Sequence, residues 1–318
     1  MKLLMTILGA ILLPLPASAQ EPSFPQKGSI ELTVLFAAGS SADITARLLA
    51  EGMSKHLPGN VIVVNRPGAG GAIGYKHVAS QKPDGYALVW NSNSISTTYY
   101  SGLLPFDYRA LDPVARVLVE SPVLAVRADA PWKTLAAFIA DAKARPGKMT
   151  VGNSGIGSHT HISSAALFKA AGVEVIEVPY AAAQVVPSLV GGHIDAVMQL
   201  PGALSTHVKA GTVRLLAALI PQRDPALPDV PTAVEQGVNV SLEAWRGVAV
   251  PRSTPAPVVS ALEAAIRKTV EAPEFARACE QLGVRQAYLP AAEFGPLIAK
   301  EDAELSTLMQ QIGLKKQP

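Results

Sequence analysis

Apolar and polar residues along this chain are arranged in a way that predicts strands followed by helices. Short apolar runs at residues 30–36, 61–64 and 87–90 predict strands, and longer runs at 41–56 and 71–80 carry apolar residues at helical spacing. Strands that alternate with helices are typical of parallel sheets with helices packed on their faces. The pattern therefore predicts an α/β protein.

A second unit of the same kind begins after residue 122. Its strand at 149–151 is followed by the Gly/Ser loop 152–158 and by a helix that begins near Thr160. This order repeats the strand, loop and helix of residues 32–49. Two such units that face each other would form a cleft lined by backbone amides and hydroxyls, which is where open α/β sheets bind ligands.

The last part of the chain is predicted to return to the first unit. An apolar, extended segment at 245–251 makes the return, and residues 255–312 predict three helical stretches broken near Pro273 and Pro290. The first domain would then be discontinuous, with two strands crossing between the domains as a hinge. The predicted domains are residues 20–121 with 246–318, and residues 122–245.

The N-terminus has the pattern of a secretory signal peptide, predicted at residues 1–19. Met1-Lys2 is followed by an apolar run at 3–15 and by Ala17-Ser18-Ala19, an A-x-A exit. The run is shorter than the ~20 apolar residues of a spanning helix, so we expect no direct membrane insertion. Gln20 stands where a lipoprotein would carry a cysteine. We therefore expect a free periplasmic protein.

Composition and charge narrow the classes of partner. The chain has 27 basic and 25 acidic side chains, and this near balance gives no argument for a nucleic-acid partner. Aromatic residues make up only 5%, which argues against a platform of stacked rings for polysaccharide. Cys279 is the single cysteine, so no intramolecular disulfide can form.

The glycine-rich loop at 67–71 is the most informative local feature. It lies in the run VVNRPGAGGAIGYKHVASQKPDGY at 63–86, and alone it indicates anion binding only weakly. Together with AAGSSADITARLL at 37–49, it resembles the solute receptors of tripartite tricarboxylate transporters, the Bug family. Further markers of the resemblance are Pro146-Gly147, Gly155-Ile156-Gly157-Ser158, Val178-Pro179-Tyr180, Gly191-Gly192 with Asp195, Lys209-Ala210-Gly211, Pro231-Thr232, Trp245 with Gly247, and Thr254-Pro255.

The resemblance extends over roughly residues 30–310 and implies both a fold and a function. The implied fold is the two-domain type II periplasmic-binding-protein fold, with a ligand cleft between the domains. The implied function is to close on a small organic acid and to deliver it to the membrane permease of a tripartite tricarboxylate transporter. No cofactor or metal is implied.

Two loops depart from the family's pattern. The first usually begins with proline and an aromatic residue and carries Gly-Gly, whereas residues 35–41 read LFAAGSS. Tyr180 is usually followed by Lys-Gly-Gly, whereas here Ala181-Ala182-Ala183 follow. Without that lysine, a monoacid or an acid with an apolar or aromatic body is favoured over a tricarboxylate.

Loops at predicted helix starts supply the candidate ligand contacts. Backbone amides and hydroxyls at a helix N-terminus can hold a carboxylate without a formal positive charge. Asp43 is interpreted as a cap or first-turn acid that does not face the ligand's charge, and Trp245 and Arg246 as hinge or packing residues. The predicted ligand-binding residues are Phe36, Gly39, Ser40, Ser41, Asp43, Asn91, Ser92, Asn93, Ser154, Gly157, Ser158, His159, Thr160, Tyr180 and Ala183.

Catalysis is a competing function from another class. Residues 152–156, read GNSGI, differ by one position from the G-x-S-x-G nucleophile elbow of hydrolases. Ile156 replaces the final glycine on which the strained turn depends, and no histidine is marked by its context as a base. Gly155-Ile156-Gly157 likewise lacks the third glycine of a dinucleotide fingerprint. We therefore expect that the protein is not an enzyme.

Metal capture and ligand sensing are two further competing functions. His159 and His161 could ligate a metal, but metal receptors gather three or four ligands, and a His-x-His pair is poorly spaced for one helix face. A sensor would present its liganded form to a signalling partner in the membrane without transport. The sequence does not separate sensing from transport.

Overall fold

The computed structural model describes Phe24 and residues 28–316, so the predicted signal peptide at 1–19 lies outside the described part. The strands are β1 (Ile30–Val34), β2 (Val61–Asn65), β3 (Ala87–Ser92), β4 (Leu111–Glu120), β5 (Val123–Arg127), β6 (Thr150–Asn153), β7 (Ile176–Pro179), β8 (Ala196–Gln199), β9 (Val213–Ala218), β10 (Ala244–Pro251) and β11 (Arg285–Pro290). The helices are α1 (Ser41–Ser54), α2 (Ala72–Ala79), α3 (Ser94–Tyr100), α4 (Leu135–Ala144), α5 (His159–Ala171), α6 (Ala182–Val190), α7 (Pro201–Lys209), α8 (Ala256–Val270), α9 (Pro273–Leu282) and α10 (Ala291–Gln311).

The strands form two mixed sheets. The first sheet has the order β11-β4-β10-β3-β1-β2, in which β2, β1 and β3 are parallel and β10 runs antiparallel to both β3 and β4. The second has the order β7-β6-β8-β5-β9, in which β6 is parallel to both its neighbours and β5 is antiparallel to β8 and β9. The predicted α/β class is confirmed.

Two segments carry the chain from one sheet to the other. Ser121-Pro122 joins β4 to β5, and residues 219–243 lead from β9 back to β10. The predicted pair of crossings is therefore present, and the first sheet is built from two separate stretches of sequence. The residue boundaries of the domains stay a prediction.

The C-terminal helix α10 packs against both halves of the molecule. Near its start, the ring of Phe294 meets Trp245 of the first sheet edge-on, with 4.9 Å between the ring centroids. Near its end, Leu305 and Met309 are buried in the same cluster as Phe138 of the second half. This helix therefore contributes to both hydrophobic cores.

The structure also contains a strand that the local pattern does not predict. The predicted helices at 255–312 are present as α8, α9 and α10, but β11 lies between the last two and pairs antiparallel with β4. Every residue of β11 is only partly buried. The strand forms because the free edge of β4 offers hydrogen-bond partners. Since β4 is distant in sequence, the pattern of apolar residues within 285–290 does not reveal this pairing.

Serine side chains begin the two helices that follow the matched loops. Ser40 caps α1 by accepting the amide of Asp43 at 3.3 Å, and Ser158 caps α5 by accepting the amide of His161 at 3.2 Å. Asp43 is the first-turn acid of α1. The alternative interpretation of Asp43 as the cap is corrected, because the hydroxyl oxygen of Ser40 accepts the Asp43 amide and Ser40 is therefore the cap.

None of the helices within residues 28–316 combines the length and the apolar character that a bilayer crossing requires.

Candidate functional site

A cavity lies where the carboxyl ends of strands from both sheets approach each other. It follows β1 and β3 of the first sheet and β6 and β8 of the second, and it contains about 370 Å³ of space free of protein atoms, including its opening to solvent. This is the position at which open α/β sheets bind ligands. The lining residues are Phe36, Ser40, Ser41, Ala42, Ser92, Ser94, Ser154, Ser158, His159, Thr160, Ala182, Gln199, Leu200, Ala244 and Arg246.

Helix N-termini from both halves converge on this central cavity. The first residues of α1, α5 and α6 line it, and so does Leu200, the cap of α7. Each helix start presents amides without an intrahelical partner and carries roughly half a positive charge. Convergence of several starts on one small space favours an anion there.

The serine caps retain donors for a ligand. Ser40 uses an oxygen lone pair to accept the amide of Asp43, and Ser158 does the same with the amide of His161. A hydroxyl that accepts through oxygen still has its own hydrogen to donate. The Ser158 hydroxyl lies 3.1 Å from that of Thr160, which in turn accepts the amide of Ser154 at 2.9 Å. Ser40 therefore keeps its hydroxyl hydrogen, and the Ser158–Thr160 pair keeps one, because either hydroxyl can donate to the other and the second hydrogen is then left for a ligand.

Arg246 brings a guanidinium group into the cavity wall. Its Nε donates to Oε2 of Glu120 at 3.1 Å, and Ser41 Oγ donates to Oε1 of the same carboxylate. Glu120 is completely buried and Arg246 is 4% exposed. The terminal nitrogens of Arg246 form no hydrogen bond with any residue that the structure describes. Because its Nε is already paired, the guanidinium is oriented with its two terminal amino groups left for another acceptor.

His159, the first residue of α5, is a neutral polar group in the cavity. Burial, with a further contribution from the charge of Arg246, lowers the pKa of its imidazole to about 3. Its Nδ1 lies 3.3 Å from the hydroxyl of Ser163. The imidazole is therefore uncharged at neutral pH and adds no formal charge to the site.

The structure brings eight of the predicted ligand-binding residues to the cavity wall. These are Phe36, Ser40, Ser41, Ser92, Ser154, Ser158, His159 and Thr160, drawn from both halves of the molecule. Gly39, Asp43, Asn91, Asn93, Gly157, Tyr180 and Ala183 are not among the lining residues. The ligand set itself stays a prediction.

Several residues outside the lining support the loops that form it. The carboxylate of Asp43 accepts the amide of Gly39 at 3.0 Å and an Asn65 Nδ2 donor at 2.9 Å, and it pairs with Arg47 at 2.9 Å. These bonds lower the pKa of Asp43 against the opposing effect of burial. The carboxylate is therefore part of the loop's own framework.

The asparagines and Gly157 bind within the protein in a similar way. Asn91 Oδ1 accepts the Tyr75 hydroxyl at 2.8 Å, and Asn93 Oδ1 accepts the amide of Trp245 at 2.8 Å. The carbonyl of Gly157 accepts the Thr97 hydroxyl at 2.6 Å, which joins a loop of the second half to α3. The asparagine bonds therefore stabilise the first half, and the Thr97–Gly157 bond links it to the second half.

Sequence reasoning left several lining residues out of the site. Those residues are Ala42, Ser94, Ala182, Gln199, Leu200, Ala244 and Arg246. A usable signal existed for Arg246, because it is the only charged residue in the apolar strand AWRGVAVP. Gln199 ends β8 at the carboxyl edge of its sheet, the same position that identified the loops at 37–41 and 152–158.

The groups behind the competing functions are engaged in other contacts. Ser154, the serine of the near-elbow motif, bonds Gln199, whose Nε2 donates to its hydroxyl at 3.1 Å. His161 Nδ1 accepts the amide of Gly157 at 3.3 Å. Within the described residues, no three His, Cys, Asp or Glu side chains are grouped so that they could hold a metal ion.

Comparison with known proteins gives a consistent family assignment. Residues 45–314 match the sequence model of a family described as "Tripartite tricarboxylate transporter family receptor". The "UPF0065 protein in gbd 5'region" of Cupriavidus necator is 31% identical over 304 residues, which cover 95% of this chain and 92% of that protein.

Solved structures show the same fold. The periplasmic binding protein BugD is 28% identical with a TM-score of 0.87, covering 92% of this chain and 100% of BugD. An R. palustris protein solved with adipate is 25% identical with a TM-score of 0.87, covering 92% and 99%. MatC from Rhodopseudomonas palustris, with bound malate, is 26% identical with a TM-score of 0.83, covering 90% and 99%. The two-domain periplasmic-binding-protein fold is therefore confirmed.

Proposed function

This chain belongs to the tripartite tricarboxylate transporter receptor family, and we propose that it is a periplasmic receptor that captures a small organic carboxylate and delivers it to a membrane permease. The coarser role, solute binding, is shown by the family and by its structural neighbours, two of which contain adipate or malate. The carboxylate, the permease and the periplasmic location of this chain are the parts that are proposed.

The observation that supports this proposal most strongly is the convergence of anion-binding groups on one cavity. Helix starts from both halves, the hydroxyls of Ser40 and Ser158, and the unpaired amino groups of Arg246 all reach it. Donors to a carboxylate form charge-assisted bonds, which are about twice as strong as neutral ones. The cavity is therefore suited to a carboxylate, because these donors would replace the hydrogen bonds that the carboxylate makes with water.

Contacts from both halves would couple binding to closure. The domains that we propose are residues 20–121 with 246–318, and residues 122–245, joined by the crossings after β4 and β9. A ligand that touches Ser40 on one side and Ser158 on the other gains its full set of contacts only when the domains are together. Such a ligand shifts the open–closed equilibrium by its difference in affinity for the two states.

A thermal-shift screen of the protein freed of carried-over ligand tests the proposal. The panel would contain monocarboxylates, dicarboxylates, citrate, amino acids and zinc. A ligand at 100 times its dissociation constant adds about 2.7 kcal/mol to the free energy of unfolding, so a binding acid is readily detected. No shift with any carboxylate, together with a shift from zinc, would contradict it.

Delivery to a permease requires a separate test in cells. Uptake of the labelled acid would be measured in a strain that lacks this receptor and in one that carries it. Receptor-dependent uptake supports transport. Unchanged uptake with a lost transcriptional response to the acid would instead support a sensing role.

A further inference from the structure

A second, larger cavity adjoins the central one and is chemically different from it. The two share Phe36, Ser154 and Ala182 in their walls, so they lie side by side. We call the second cavity the annex; it contains about 1040 Å³ of free space, including its opening to solvent. Its lining residues are Phe36, Ala37, Pro67, Gly68, Ala69, Gly70, Gly71, Leu103, Ser154, Gly155, Ile156, Pro179, Tyr180, Ala181 and Ala182.

The annex has an apolar wall without any charged side chain among its lining residues. Phe36, Leu103, Ile156 and Tyr180 supply large apolar surfaces, and Ile156 is 56% exposed at its edge. An exposed large apolar side chain beside a ligand cavity is the kind of surface that a ligand's hydrocarbon body would cover. The annex therefore offers burial of apolar surface and no cationic side chain for a second negative charge, and its backbone donors are the amides at the starts of α2 and α6.

Both halves of the molecule contribute to the annex. The glycine loop at 67–71 comes from the first half, and Gly155 and Ile156 come from the second. The loops touch, because a Cβ atom added to Gly70 would lie 2.7 Å from the carbonyl oxygen of Ile156. The annex is thus formed by the approach of the two halves, as the central cavity is, so one ligand can occupy both.

The central cavity has charge compensation for one carboxylate. Arg246 and Glu120 together carry no net charge, and His159 is uncharged. The remaining positive potential comes from the helix starts and from the guanidinium end of the ion pair, which lines the cavity. A second carboxylate in the annex would lose water without gaining a cation. Burying an unpaired charge in that way is strongly unfavourable.

We infer that the ligand is a monocarboxylic acid with an apolar body, whose carboxylate lies in the central cavity and whose body fills the annex. This inference rests on the proposed function, since it specifies the class of carboxylate. It separates this chain from the relatives solved with adipate and malate, which are both dicarboxylates. Ala181 and Ala182, which follow Tyr180, line the annex with small uncharged side chains and agree with it.

The test compares hexanoate with adipate by isothermal titration calorimetry on the full mature protein. The two acids have the same carbon chain and differ by one carboxylate. We expect hexanoate to bind at least about tenfold more tightly than adipate, because only adipate must place a charge in the annex. We also expect hexanoate to bind at least about tenfold more tightly than acetate, whose body is too short to bury apolar surface.

A charge placed in the annex should reverse the preference. Ile156→Lys puts an ammonium group at the annex edge, and its exposed position keeps the fold unchanged. We expect this variant to favour adipate over hexanoate. Ile176→Lys is the matched control, because Ile176 is also exposed, at 46%, and does not line either cavity, so the preference should stay with hexanoate.

The outcomes distinguish this inference from the proposed function. Adipate binding as tightly as hexanoate to the unaltered protein would overturn the inference and leave the receptor role intact. Unchanged preference in the Ile156→Lys variant would show that the body does not lie in the annex, and would also overturn it. Binding of no carboxylate at all would overturn the proposed function and the inference together.

Discussion

Arg246 and Glu120 form a buried ion pair between neighbouring strands, with 3.1 Å between Nε and Oε2, and only the arginine reaches the ligand cavity. The pair joins β10 to β4, the two strands at which the chain crosses between the halves. Glu120 therefore positions a guanidinium that lines the central cavity and keeps its terminal amino groups for another acceptor. The pair thus matters both for stability and for binding.

Replacing Arg246 by methionine should weaken both the fold and ligand affinity. The change leaves the Glu120 carboxylate buried without its cation, which costs about 3–5 kcal/mol in other buried pairs. Urea unfolding would measure the loss. The double variant with Glu120→Gln should recover most of the stability, since no unpaired charge remains, but not the affinity for the acid. Recovery of affinity in the double variant would show that Arg246 does not contact the ligand.

Ser158→Ala should separate a helix cap from a ligand contact when it is compared with Thr134→Ala. Each residue caps a helix, α5 or α4, by accepting the amide three residues later. Each substitution should lower the free energy of unfolding by about 1 kcal/mol. Only Ser158 lines the cavity, so only its loss should weaken carboxylate binding, by about tenfold. Equal affinities in the two variants would remove Ser158 from the site.

Gly70→Ala should impair closure, and Gly211→Ala provides its control. Both glycines have positive φ angles, 65° and 67°, so each alanine introduces similar backbone strain of about 1 kcal/mol. At Gly70 the new methyl group would also meet Ile156 and Gly157 of the opposite half, whereas at Gly211 nothing lies within 4 Å. Ligand affinity should fall only for Gly70→Ala. Small-angle scattering with ligand should show that this variant stays more extended, and a compact liganded form would contradict the expectation.

The stability of the protein should depend on pH through Glu301. Its carboxylate accepts hydrogen bonds from Trp245 Nε1 at 2.6 Å and Asn93 Nδ2 at 2.7 Å. Burial, opposed by the Trp245 bond and reinforced by the charge of Glu243, raises its pKa from 4.5 to about 7. The protonated form is favoured in the folded state, so its stabilisation is complete below pH 4.5 and is lost as the pH rises through 7.

Unfolding free energies at pH 5 and pH 8 would check this dependence. Glu301→Gln should lose much less stability between the two values than the unaltered protein, because glutamine does not ionise. Glu51→Gln is the control: its carboxylate lies on α1 and is 76% exposed, so the slope should be unchanged. A Glu301→Gln variant with the full pH dependence would assign the effect to another group.

The local pattern was sufficient for the elements that surround the site. The strands before 37–41 and 152–158, the Gly/Ser loops and the serine caps all depend on residues within a few positions of one another. Their helix starts converge because the carboxyl ends of strands meet at one edge of each sheet. The hydroxyl-rich half of the site could therefore be predicted from the residues alone.

The order of residues was enough to establish the α/β alternation, the family and the two loops that face each other. The folded chain was needed to show that Arg246 lies beside Glu120, 126 residues earlier, and that β11 completes the edge of the first sheet. The register between β4 and β10 places that pair at the cavity, and the approach of the glycine loop to Ile156 encloses the annex. The ion pair and the closure of the annex both depend on contacts between distant segments, which the spacing of residues along the chain does not indicate.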